Sequence, residues 1–196
     1  MIHAWAENIS SFFIDNSVIS ENDRKVYSYC FELLISELIN ILIILAVAIL
    51  SKQYVNIAVF LISFLLLRKW AGGYHANTHY GCTLILFLIL TLFIVSEIVL
   101  SYNAKCILQF FNIFTSLPII CIFAPVDNSN KPIKDEQRKK FKTYCIIITV
   151  ALIGVICFFH LIKFEKSYEL SCGMFIVAVS ILAAKLKESK HYQIKY

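Results

Sequence analysis

A chain of 196 residues that is 59% hydrophobic and only 16% charged is not an ordinary water-soluble domain, since such domains carry about 45–50% apolar and about 25% charged residues. The apolar excess falls into runs, the mark of a membrane protein rather than of one large core. The formal charge of +5 is unevenly placed along the chain, and the seven cysteines, an odd number with neither a C-x-x-C pair nor a regular spacing, argue against a disulfide framework.

Met1-Ile2-His3-Ala4-Trp5 lacks the basic region and small-residue cleavage site of a signal peptide. Ile2, Trp5, Ile9, Phe12 and Phe13 recur at helical spacing, which suits residues 1–19 to a helix in the membrane interface or to one packed on the protein's own core. Ser20 with Asp23 three residues on resembles a capping box that opens a long helix. The apolar part of that helix, 33–50, is the first span. The second span, 54–67, is only 14 residues, or about 21 Å at 1.5 Å per residue, so the segment after it is expected to enter the headgroup layer. The third span is 82–100 and the fourth 107–123, with Pro118 inside it and Ala124-Pro125 ending it. A basic loop is expected over 126–142, followed by spans at 144–162 and 170–186.

The predicted fold is therefore all-α: a polytopic bundle of about six transmembrane helices plus an amphipathic N-terminal helix, forming a single membrane-embedded domain over 1–196. With the N-terminus inside, fourteen Lys and Arg residues fall on inner segments and four (Lys52, Lys105, Lys163, Lys166) on outer turns. By the positive-inside rule both termini and the 68–81 and 126–142 segments face the cytoplasm of a cell-membrane protein.

Three of the five glycines, two histidines and a cysteine fall within residues 68–82. His75 and Cys82 are the pair that thiol chemistry would need. A free thiol with a pKa of about 8.5 is mostly protonated at pH 7, so it needs a neighbouring imidazole or a helix N-terminus to become a good nucleophile. In one continuous helix, residues seven apart lie about 10.5 Å apart along the axis, too far for the proton transfer that a base within about 3 Å performs. The pair therefore works only if the chain turns between them, with Asn77 or Thr78 capping the third span. On a continuous helix, His75, His79 and Cys82 would instead share a face fit for zinc, although Ala76 stands where H-E-x-x-H has its glutamate. Spacing alone also admits a packing cysteine and an anchoring histidine. Glu32, Glu37, Glu97 and His160 are the other polar groups within apolar segments. Asn77 and Asp127 are the candidates for a third catalytic member.

The stretch Arg68-x-x-x-x-Gly73-x-His75-Ala76-x-x-x-x-x-Cys82 resembles the accessory gene regulator B family of membrane endopeptidases. Leu117-Pro118, Ala124-Pro125-Val126 and Lys131-Pro132-Ile133 resemble the family's fourth-span end and basic loop, and the likeness covers most of the chain. The resemblance implies a cysteine endopeptidase of quorum sensing. Cys82 would be the nucleophile and His75 the base, with Arg68 and Gly73 supporting them. The substrate would be a propeptide of the accessory gene regulator D type, cut C-terminal to its signal sequence and closed into a cyclic thiolactone or lactone. The resemblance also implies a homodimer. Lys131, Lys134, Arg138, Lys139, Lys140 and Lys142 would meet the propeptide's acidic tail, or anionic lipid instead. A thiol mechanism needs no cofactor, metal or nucleic acid. The alternatives are a multi-pass transporter, which would place charges deep in mid-span, and a zinc-dependent hydrolase using His75, His79 and Cys82.

Overall fold

The computed structural model describes residues 2–74, 76, 78–127 and 135–193. Among them are seven α-helices and one short 3-10 turn, with no strand: α1 (Ile2–Asp15), the 3-10 turn (Glu21–Asp23), α2 (Arg24–Ser51), α3 (Tyr54–Ala71), α4 (His79–Val99), α5 (Tyr102–Phe123), α6 (Asp135–Leu161) and α7 (Ser167–Gln193). Six of them are long and apolar enough to cross a membrane, α2 to α7, which fits a multi-pass membrane protein. The chain packs as two compact units, one of residues 1–52 with 77–91, the other of 53–76 with 92–196, and α4 passes from the first to the second.

In the first unit α1 folds back antiparallel on α2. Ile2, Ala6 and Ser10, four residues apart, are the buried stripe. The neighbouring stripe of His3, Glu7 and Ser11 carries polar links to α2. His3 Nδ1 lies 2.5 Å from Glu32 Oε1, Ser28 donates to Glu7 over 2.7 Å, and Arg24 donates to Ser11 over 2.9 Å. Phe13 stacks on Phe31 with ring centroids 5.5 Å apart. Trp5 and Phe12 point outward, 55% and 64% exposed, so α1 packs on its own unit and still presents an aromatic face. The capping box does not form: Ser20 makes no side-chain cap, and its hydroxyl donates to the Asp23 carboxylate over 2.7 Å. Along α2, Leu34, Leu38, Leu42, Ile49 and Leu50 are exposed, as expected of a helix whose solvent is lipid. Lys52 ends it in the left-handed region at φ 56°.

In the second unit α7 is the centre, packed on α3, α5 and α6. Its Met174, Val177, Ala178 and Ile181 are fully buried. Without a strong hydrophobic drive inside lipid, membrane helices associate through small residues and polar pairs, and both occur here. Gly173 sits so close to α3 that a Cβ would lie 2.6 Å from the Phe60 carbonyl oxygen. Ser167 donates to Gln109 over 2.7 Å, Asn112 to Ser171 over 3.2 Å, and Tyr168 to Ser96 over 3.0 Å.

Two expectations are corrected. The second span does not stop at Leu67, because α3 continues through Ala71. Its end is held by Val126, whose N–H donates to the Ala71 carbonyl over 3.0 Å, and by Trp70 packed on Tyr144 at 4.7 Å. The basic segment is not a loop as far as residue 142. From Asp135 onward it is helix, so Arg138, Lys139, Lys140 and Lys142 occupy the first turns of α6. Lys131 and Lys134 lie outside the described residues.

Candidate functional site

α3 stops at Ala71 because the chain turns at Gly72, with φ 69°, and Gly73, with φ 130°, conformations that a side chain strongly disfavours. A Cβ at Gly72 would strike the Val126 carbonyl oxygen, and one at Gly73 the Arg68 guanidinium and the Ser180 hydroxyl. Both glycines are thus required twice, by conformation and by space. Arg68, in the last turn of α3, reaches over this turn. Its Nη1 donates to the Gly72 carbonyl over 2.9 Å and to Ser180 Oγ over 2.5 Å, and its Nη2 donates to the Tyr74 carbonyl. The Tyr74 N–H donates back to α7, 2.9 Å from the Ser180 carbonyl and 3.0 Å from its hydroxyl. The planar fork of an arginine suits such convergent acceptors. Arg68 and Gly73 are therefore brought together, and the guanidinium fixes the backbone that leads into position 75.

Ser180 was not singled out from the sequence, since a serine inside an apolar helix looks like a small filler. The signal available was an arginine just inside a span end, which has to find acceptors. His75 and Asn77 lie outside the described residues.

Cys82 lies in the first unit, on the first turn of α4. Thr78 caps that helix, its hydroxyl accepting from the Gly81 N–H over 3.1 Å, and the Cys82 N–H donates to the Thr78 carbonyl over 3.2 Å. Of the two caps expected, Thr78 makes this bond. The thiol belongs to a free, partly exposed cysteine within a turn whose N–H groups carry the positive end of the helix dipole. Beside it His79 Nε2 stands 3.4 Å from Glu32 Oε2. The helix begins at His79, with Ala76 and Thr78 outside it, so the continuous helix required by the zinc arrangement is not formed. Among the described residues no group of three His, Cys, Asp or Glu could hold a metal ion.

The basic segment contributes to a cavity within the second unit. Arg138 and Lys142 of α6 and Lys185 of α7 line it together with Ile122, Phe123, Ala124 and Pro125, and it is open to the outside. The Ala124–Pro125 bond at its wall is cis. Arg138 pairs with Asp127, and Lys185 with Glu188 at 2.8 Å. Lys139 and Lys140 are exposed. Lys185 was missed because it lies far along the chain from the basic run.

A further polar cluster lies in the second unit, away from these residues in sequence. Glu97 pairs with Lys105 at 2.6 Å, and Glu169, which the sequence reading passed over, pairs with Lys166 at 3.3 Å. Each carboxylate is almost wholly buried.

A bundle of apolar helices with a glycine turn clasped by arginine and a capped, cysteine-bearing helix defines a multi-pass membrane protein with a polar motif at its span ends. The family model of accessory gene regulator B matches residues 6–184, and the chain belongs to that family. An AgrB-like protein of Clostridium beijerinckii is 29% identical over 194 residues, covering 95% of this chain and 92% of that one. One of Clostridium perfringens is 31% identical over 172 residues, 79% of each. The accessory gene regulator protein B of Staphylococcus aureus is 28% identical over 124 residues, 62% of this chain and 61% of its own. No solved structure matches.

Proposed function

We propose that the protein is a membrane-embedded cysteine endopeptidase that cuts a propeptide of the accessory gene regulator D type and cyclises the product. Membership of the family, together with the resemblance of the Arg68, Gly73, His75 and Cys82 stretch to its motif, carries this reading. The clasped turn before position 75 and the capped first turn that bears Cys82 support it, because a nucleophile and its base need fixed backbones.

The chemistry balances without water. Cys82 Sγ attacks the scissile carbonyl carbon, and His75 takes the thiol proton and returns it to the leaving amine. The C–N bond breaks, the C-terminal segment leaves as the free amine, and the part of the propeptide N-terminal to the cut, which ends in the signal sequence, is left as a thioester on Cys82. An internal cysteine thiol or serine hydroxyl of the peptide then attacks the thioester carbonyl. Its proton passes through His75 to the departing Cys82 sulfur, and a ring closes through a thiolactone or lactone. Thioester-to-thioester exchange keeps most of the energy of the activated bond.

The Arg138, Lys142 and Lys185 cavity, with its apolar floor, is where an acidic propeptide tail would lie. Catalysis takes place on the cytoplasmic side, and the enzyme works as a homodimer. The test is cleavage of the propeptide encoded beside the gene by protein in lipid nanodiscs. Cys82→Ala and His75→Ala should each abolish both the cut and the ring. Cleavage that survives in Cys82→Ala would overturn this mechanism.

A further inference from the structure

We propose that Glu32 is a positioning residue for the Cys82 thiol, acting through His79. This rests on the reading of Cys82 as the nucleophile and adds a residue to its support.

The observations all lie within the first unit. Glu32 stands on α2 and divides its two carboxylate oxygens between two other helices. Oε1 lies 2.5 Å from His3 Nδ1 of α1, and Oε2 lies 3.4 Å from His79 Nε2 of α4. Its side chain is mostly buried, at 18% exposure, so it does not exchange these partners freely for water. His79 is the first residue of α4, and Cys82 follows three residues later, on a neighbouring position of the helix surface. On the other side of Cys82, Thr83 donates to Asn40 of α2 over 2.9 Å. The first turn of α4 is therefore tied to α2 on both sides of the cysteine.

A rotation or slide of that turn would carry the sulfur with it. For a thiol that must meet a carbonyl carbon and a base together, a shift of about 1 Å can cost about 100-fold in rate. Glu32 touches neither sulfur nor substrate in this account. It holds the helix that carries the sulfur, and through His3 it joins α1 to the same clamp.

The experiment uses the full chain in nanodiscs with the propeptide encoded beside its gene. It compares Glu32→Ala, Glu32→Gln, His79→Ala and the double variant Glu32→Ala/His79→Ala. Two quantities are read: kcat and KM for cleavage, and the rate of iodoacetamide labelling at Cys82, resolved from the other cysteines by peptide mass spectrometry. Glu32→Ala should lower kcat about 10–100-fold, with KM within about twofold, as loss of an outer-shell partner does. Glu32→Gln keeps an acceptor oxygen and should recover to within about threefold of wild type. The double variant should lose no more than the worse single variant, since both remove one link. Labelling at Cys82 should change at least fivefold in Glu32→Ala and not in Glu32→Gln.

Unchanged kcat and unchanged labelling in Glu32→Ala would overturn the proposal, as would a loss confined to KM or fully additive losses in the double variant. Labelling does not depend on the reaction. If wild type cuts nothing while Cys82 labelling still follows Glu32, the positioning stands and the endopeptidase reading falls. If Glu32→Ala does not fold, the Glu32→Gln and His79→Ala pair decides: equal damage in both overturns the proposal, and damage in His79→Ala alone supports it.

Discussion

Gly73 has no room for a methyl group, because the Arg68 guanidinium and the Ser180 hydroxyl occupy that space and its φ is 130°. Gly73→Ala must therefore displace the clasp or strain the turn, at about 1–3 kcal/mol. Cleavage of the propeptide should fall at least about tenfold, while the circular-dichroism helix signal stays unchanged, since the damage is confined to a turn between helices. Arg68→Lys should behave similarly, because an ammonium cannot span the Gly72 and Tyr74 carbonyls and Ser180 as the guanidinium fork does. Lys105 poses a different problem. Its removal in Lys105→Met strands the Glu97 carboxylate, whose side chain is only 4% exposed. Breaking such a pair costs about 3–5 kcal/mol, read as a lower midpoint of unfolding in detergent. Adding Glu97→Gln should return most of it.

At the scale of elements, the α3–α7 contact depends on Gly173 facing Ser63 and the Phe60 and Phe64 backbone. Gly173→Val forces these helices apart and should destabilise the second unit by about 1–3 kcal/mol, again read by detergent unfolding. The docking of α1 on α2 has a pH dependence with a defined sign. The Ser28 hydroxyl, helped by Arg24, holds the Glu7 carboxyl below its ordinary 4.5. A carboxylate lowered in the folded state stabilises docking fully above its ordinary value and loses that contribution as pH falls through the lowered one. Trp5 fluorescence in a Trp70→Phe background should report release of α1 below pH 4.5, and Ser28→Ala should move the release upward.

The spans themselves were legible, because runs such as Ile41 to Leu50 are apolar on every side, and only a helix can carry such a run across lipid. Their ends were not. α3 ends where Val126 and Ser180 meet it, and α6 begins inside a basic run that hydropathy assigns to a loop. Both boundaries are set by partners distant in sequence. The site divides in the same way. Arg68, Gly73, His75 and Cys82 could be read from one short motif, and Thr78 from cap chemistry, whereas Ser180, Lys185 and the Glu32–His79 contact exist only once helices far apart in sequence are packed.

For the whole molecule, the placement of fourteen cationic residues on one set of segments and four on the other sets an expected orientation. In a background without native cysteines, Lys139→Cys should resist a membrane-impermeant maleimide in intact cells, while Lys163→Cys should react. The reverse pattern would place the motif outside. The central claim, that Cys82 carries the peptide as an acyl group, is tested most directly by intact-protein mass spectrometry after brief mixing with the propeptide. Wild type should gain the mass of the propeptide portion N-terminal to the cut in a form released by hydroxylamine, and Cys82→Ala should gain none. An adduct that persists in Cys82→Ala, or a cut product formed with no adduct at any time, would contradict the account.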